Sequence, residues 1–95
     1  MVRVGSGYMG SPELMNSGDG NLEIVPQSTN DGGNKYSFYK FEFVSPEIRE
    51  VTVRINNGEP ICLCSGYFTT EPSDAEINSF IIETPNVDFY WYGAY

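Results

Sequence analysis

The clearest pattern in the chain lies between Ile77 and Tyr95, where apolar and polar positions alternate on both sides of Thr84-Pro85-Asn86. The second run places Val87, Phe89 and Trp91 on one face and Asp88, Tyr90 and Tyr92 on the other. The stretch therefore predicts a C-terminal β-hairpin. Trp91, the only tryptophan, is its natural core residue, because an indole buries a large apolar area. A second hairpin is expected upstream: Val51, Val53 and Ile55 alternate with Thr52 and Arg54, Asn56-Asn57-Gly58-Glu59 supplies a turn that tolerates positive φ, and Pro60 to Cys64 returns. Ser65-Gly66 interrupts that run before Tyr67 to Thr70 extends it.

Lys35 to Val44 reads as one long strand, with Tyr39, Phe41 and Phe43 on one face and Tyr36, Phe38, Lys40 and Glu42 on the other. One face must be core. The aromatics on the second face predict a cover or a partner, with Lys40 and Glu42 as a solvated pair. Asn21 to Pro26 is a short first strand, and Gln27 to Asn34 is a turn-forming loop with too few carboxylates for calcium. Glu71 to Glu76 has capping-box spacing at Ser73 and Glu76, but is better read as a loop passing between sheets.

Met1 to Gly20 differs in character. Gly, Ser, Asn and Asp dominate it, so it is expected to be a flexible arm (1–20) ahead of a single domain (21–95). About six strands joined by Gly, Pro and Asn turns, with no amphipathic helix, predict an all-β fold: a small antiparallel β-sandwich with a Gly/Ser-rich N-terminal arm. Its core is expected to hold Phe41, Phe43, Val53, Phe80, Phe89 and Trp91. Candidate contact residues are Tyr8, Met9, Leu14 and Met15 on the arm, Tyr36 and Phe38 on the long strand, and Tyr90, Tyr92 and Tyr95 near the C-terminus.

Charge narrows the choice of partner. Five basic residues stand against thirteen acidic ones, a net charge of −8, which repels a phosphate backbone or an anionic membrane surface. Neither nucleic acid nor membrane is an expected partner, and no apolar run is long enough for a membrane span or a signal-peptide core. With no histidine, the usual base for a nucleophile is missing and so are most zinc ligands. Cys62 and Cys64, spaced CxC in a predicted strand, read as reduced cysteines packed as small hydrophobes, since a disulfide between them would close a strained ring. Asp74 and Glu76 have the residue types of a glycosidase pair but lie together in one polar loop. No enzyme, cofactor or metal site is expected. A sugar-binding role for Tyr90, Tyr92 and Tyr95 stays open beside strand-face packing or an oligomer interface.

The ending INSFIIE (Ile77 to Glu83), a short turn and VDFYWYGAY (Val87 to Tyr95), with the Asn57-Gly58 hairpin and Gly66 before it, resembles small accessory virion proteins of tailed bacteriophages that infect Gram-positive hosts. The resemblance covers about the last half of the chain and leaves the arm outside it. It implies a structural accessory role in a virion, as capsid decoration or a tail component, made in the host cytoplasm and contacting copies of itself and a shell or tail protein. A carbohydrate-binding module for host-surface attachment and a small acidic inhibitor of a host protein are the alternatives.

Overall fold

A computed structural model describes residues 7–26, 37–71 and 74–95; the candidate contact residue Tyr36, Ser73 and the loop 27–34 lie outside these. The described chain is all-β, with nine short strands in two antiparallel sheets. β1 (Tyr8–Gly10), β2 (Met15–Asn16), β4 (Lys40–Val44), β7 (Tyr67–Thr69) and β9 (Asp88–Ala94) form the five-stranded sheet. β3 (Leu22–Glu23), β5 (Val51–Ile55), β6 (Pro60–Leu63) and β8 (Phe80–Ile82) form the four-stranded one, in the order β3-β8-β5-β6. The sandwich expected from the alternation is thus present, assembled from more and shorter pieces.

β9 is the organising strand. It pairs with β4 across Phe41↔Gly93 and Phe43↔Trp91, and its other edge takes both β1 and β2. The inward side chains of the two sheets meet in one aromatic stack. Phe41 contacts Trp91 at 5.5 Å between ring centroids and Phe80 of the opposite sheet at 5.0 Å. Phe43 touches Phe80 at 5.2 Å and Phe89 at 5.5 Å. Phe41, Phe43, Val53, Phe80, Phe89 and Trp91 are all buried.

The β5–β6 hairpin forms with Val53 opposite Ile61 and Arg54 opposite Pro60. Its turn places the left-handed residues at Asn56 (φ 54°) and Asn57 (φ 61°), and Gly58 N–H closes it on Ile55 O at 2.9 Å. Asn56 also clamps the chain beyond β7: its Nδ2 donates to Glu76 O at 2.7 Å and its Oδ1 accepts from Asn78 N–H at 2.8 Å.

The structure departs from several expectations. The C-terminal hairpin does not form, because β8 pairs with β5 and β3 while β9 belongs to the other sheet. The Thr84-Pro85-Asn86 turn is a crossing between sheets. Thr52 N–H binds Thr84 Oγ1 at 2.8 Å on one side of it, and Ser17 Oγ donates to Thr84 O at 2.8 Å on the other. Ser65-Gly66 is likewise a crossing, from β6 to β7. The long strand from Lys35 starts only at Lys40 within the described residues. A bend at Tyr39 breaks its period, so Phe38 turns inward beside Phe41 and Trp91, at 5.6 Å and 5.8 Å. Gly93 makes this possible: a Cβ there would sit 2.6 Å from the Phe38 ring. Lastly, Cys62 and Cys64 are exposed free thiols and not packed hydrophobes, because β6 is a sheet edge.

Residues 7–20, expected as an arm apart from the sandwich, lie along the free edge of β9. Gly10 stands opposite Tyr92 and Met15 opposite Phe89, so five chain steps match three on β9 and two surplus residues loop out around Pro12. β1 and β2 together are one bulged edge strand. The other outer strands are equally poor templates for a further strand: β3 has two residues, β7 has three, and β6 starts at Pro60.

Candidate functional site

Register carries the outward side chains of the five-stranded sheet into rows. Tyr8, Ala94 and Lys40 form one, Gly10, Tyr92, Glu42 and Thr69 the next, and Tyr90, Val44 and Tyr67 the third. Four tyrosines therefore share one face, with side chains open to solvent: Tyr8 at 74%, Tyr67 at 47%, Tyr90 at 44% and Tyr92 at 37%. A face of this kind, away from the core, is what tyrosine-rich contact surfaces look like.

Between Tyr90 and Tyr92 lies an open cleft of about 220 Å³, lined also by Ser11, Glu42, Val44 and Trp91. Its polar groups are held in place. Tyr92 donates its hydroxyl to Glu42 Oε2 at 3.0 Å, and Lys40 Nζ stands 5.8 Å from the Tyr92 ring centroid. Lys40 and Glu42, expected as a solvated pair, thus both engage Tyr92. Ser11 Oγ accepts from Trp91 N–H at 3.1 Å and fixes the chain at the rim.

The sequence-derived contact residues separate into groups. Tyr8, Leu14, Met15, Tyr90 and Tyr92 are exposed, and Met9 is half-buried against the core. Phe38 does not belong to a surface, and Tyr95 does so only in part. Phe38 is fully buried, and Tyr95 folds back onto it edge-on, with centroids 6.1 Å apart. Tyr67 was missed: read as an extension of β6, it belongs to β7 and stands opposite Val44. The glycine at 66 marked a break, but a change of sheet leaves no further sign in the sequence.

The two thiols lie on the opposite sheet, away from this face. The Cys62 thiol is pushed above its ordinary pKa, by desolvation first, then by the Glu50 carboxylate and by Cys64. Such a thiol is a poor nucleophile at neutral pH. Among the described residues no three Cys, Asp or Glu side chains come together as a metal-binding group, and no helix is long and apolar enough to cross a membrane. No protein-family model, curated protein or solved structure matches the chain.

Proposed function

We propose that this protein is a non-enzymatic structural component that works by protein–protein contact, with the tyrosine face of the five-stranded sheet as its docking surface. The observation that carries the reading is the alignment of Tyr8, Tyr67, Tyr90 and Tyr92 on one solvent-facing side of the five-stranded sheet. Tyrosine adds contact area at low entropic cost, and the net charge of −8 disfavours a phosphate backbone or an anionic membrane surface as the partner. The resemblance of its C-terminal half gives the setting: an accessory protein of a tailed-phage virion, decorating or stabilising the shell beside copies of itself.

The test is the solution mass of the full chain by light scattering over a concentration range, with the Tyr90→Ala/Tyr92→Ala variant beside it. A defined oligomer that the double variant loses, at unchanged melting temperature, supports the reading. An oligomer indifferent to both substitutions removes the tyrosine face from it, and a monomer at every concentration removes self-association.

One observation favours a second reading. The cleft beside Tyr90 and Tyr92, with a fixed carboxylate at Glu42, has the parts to hold a neutral sugar ring: aromatic walls to stack on and acceptors for hydroxyl groups. Titration with neutral oligosaccharides, read by shifts of the tyrosine signals in NMR, separates the two.

A further inference from the structure

The bulged edge strand is held unequally along its length. Its C-terminal end is pinned: Ser17 is buried, its Oγ accepts from Val87 N–H at 2.9 Å, and Gly18 O accepts from Asn86 N–H at 2.8 Å. Its N-terminal end, β1, depends on backbone pairing. Gly7 and Tyr95 exchange bonds of 3.1 and 2.9 Å, and Ser11 N–H reaches Trp91 O at 2.9 Å. The side chains of β1 add little, since Tyr8 is open to solvent and only Met9 leans on the core. Between the two ends sits the exposed loop at Pro12 with its two surplus residues.

The geometry points to β1 as an exchangeable strand: in an assembly it leaves the edge of its own β9 and completes the same edge on a neighbouring copy. The inference rests on the reading that copies of this chain associate. The acceptor selects this occupant. A Cβ on residue 10 would lie 2.4 Å from Trp91 O, so the vacated edge takes a strand with glycine at that place, as β1 of another copy supplies. Exchange of identical elements conserves every contact and needs only a hinge and proximity. The hinge sets the distance. With Ser11 kept on Trp91, four chain steps from Ser11 to Met15 extend to roughly 13 Å, against about 7 Å for the two β9 steps now spanned, so only a neighbour packed close can receive the strand.

Tyr8 and Ala94 are Cα partners one step from the mutually bonded Gly7–Tyr95 pair, which makes theirs a non-hydrogen-bonded pair spaced for a disulfide. The experiment is the full chain carrying Tyr8→Cys and Ala94→Cys in a Cys62→Ser/Cys64→Ser background. It is oxidised with glutathione disulfide at several protein concentrations and run on a non-reducing denaturing gel beside light scattering. Exchange gives a link within one chain when dilute and covalent multimers as the oligomer fills. An oligomer whose link stays within one chain overturns exchange and leaves the association reading intact; because Tyr8→Cys also takes a tyrosine from the docking face, the native chain is weighed beside it, and a native chain that is monomeric at every concentration overturns both. Should the cysteine variant fail to fold or to associate, deletion of Pro12 and Glu13 from the otherwise native chain decides, because it removes the two surplus residues of the hinge and leaves β1 and its partners unchanged. Exchange predicts at least a tenfold weaker association with unchanged far-UV circular dichroism, and an unaltered oligomer overturns it.

Discussion

Replacing Phe41 by alanine should remove the contact that joins the two sheets most directly. Its ring is fully buried and touches three others, Phe38, Phe80 and Trp91, with centroids between 5.0 and 5.6 Å. Loss of a buried phenylalanine costs about 3–5 kcal/mol, and each well-placed aromatic pair adds about 0.5–1.5 kcal/mol beyond burial, so the upper part of that range applies, about 4–5 kcal/mol. A 95-residue domain has roughly 5–14 kcal/mol in all. The variant is thus expected to melt some 16–40 °C lower, at about 4–8 °C per kcal/mol for a domain of this size. Urea unfolding followed by far-UV circular dichroism and by Trp91 fluorescence measures it, because the indole stacks on the residue being removed. A loss below about 2 kcal/mol with an unchanged denaturant slope would show that the sheets are not held through Phe41, and the account of the core would fail.

The remaining predictions concern the edge, the packing and the thiols. A chain starting at Asn21 loses β1, β2 and the Ser17 bonds to the crossing turn, so it is expected to aggregate through the bared β9 edge, seen by size-exclusion chromatography; a stable monomer with the full-length melting temperature would show that residues 7–20 hold nothing together. Gly93→Ala should cost about 1–3 kcal/mol by forcing a methyl group into the Phe38 ring, and a melting temperature within a degree of the parent would contradict it. Because the Cys62 pKa is raised, less thiolate is present at any given pH, so its alkylation at neutral pH should lag that of a free cysteine peptide and catch up only in more alkaline buffer. Peptide mapping by mass gives the rate, and equal rates at neutral pH would refute the shift.

The alternation of Phe41 with Phe43, Val51 with Val53 and Phe89 with Trp91 announced which side chains would be core, and the asparagine turn announced the β5–β6 hairpin, because both signals are local. Alternation says which face a residue takes and not which strand lies beside it. That is why the runs around Pro85 looked like a hairpin, although the turn carries the chain from one sheet to the other. The inward Phe38 could not be read by continuing the period through Tyr39; the available hint was Gly93, fifty-five residues away, which leaves space for its ring. The arm was misplaced because composition speaks of side-chain burial, whereas residues 7–20 are held mainly by backbone bonds to β9. Half of the tyrosine face was legible as Tyr90 and Tyr92. Tyr8 is legible only as part of an arm, and Tyr67 joins the face, in the row of Val44 and Tyr90, only once the chain has changed sheets.

The central place of β9 also governs the birth of the molecule. The earlier strands β1 and β2 wait for Asp88–Ala94 before they have a partner, while β4 can pair with β7 first and is joined to them only through β9. On a translating ribosome, the hairpin of β5 and β6 can close early. The five-stranded sheet can close only after nearly eighty residues have passed since β1 emerged. Pairings that distant are slow to find, and the half-made chain spends that interval with Phe41 and Phe43 uncovered. Premature termination before Asp88 therefore yields a chain with an unfinished sheet, which is a substrate for chaperones and proteases.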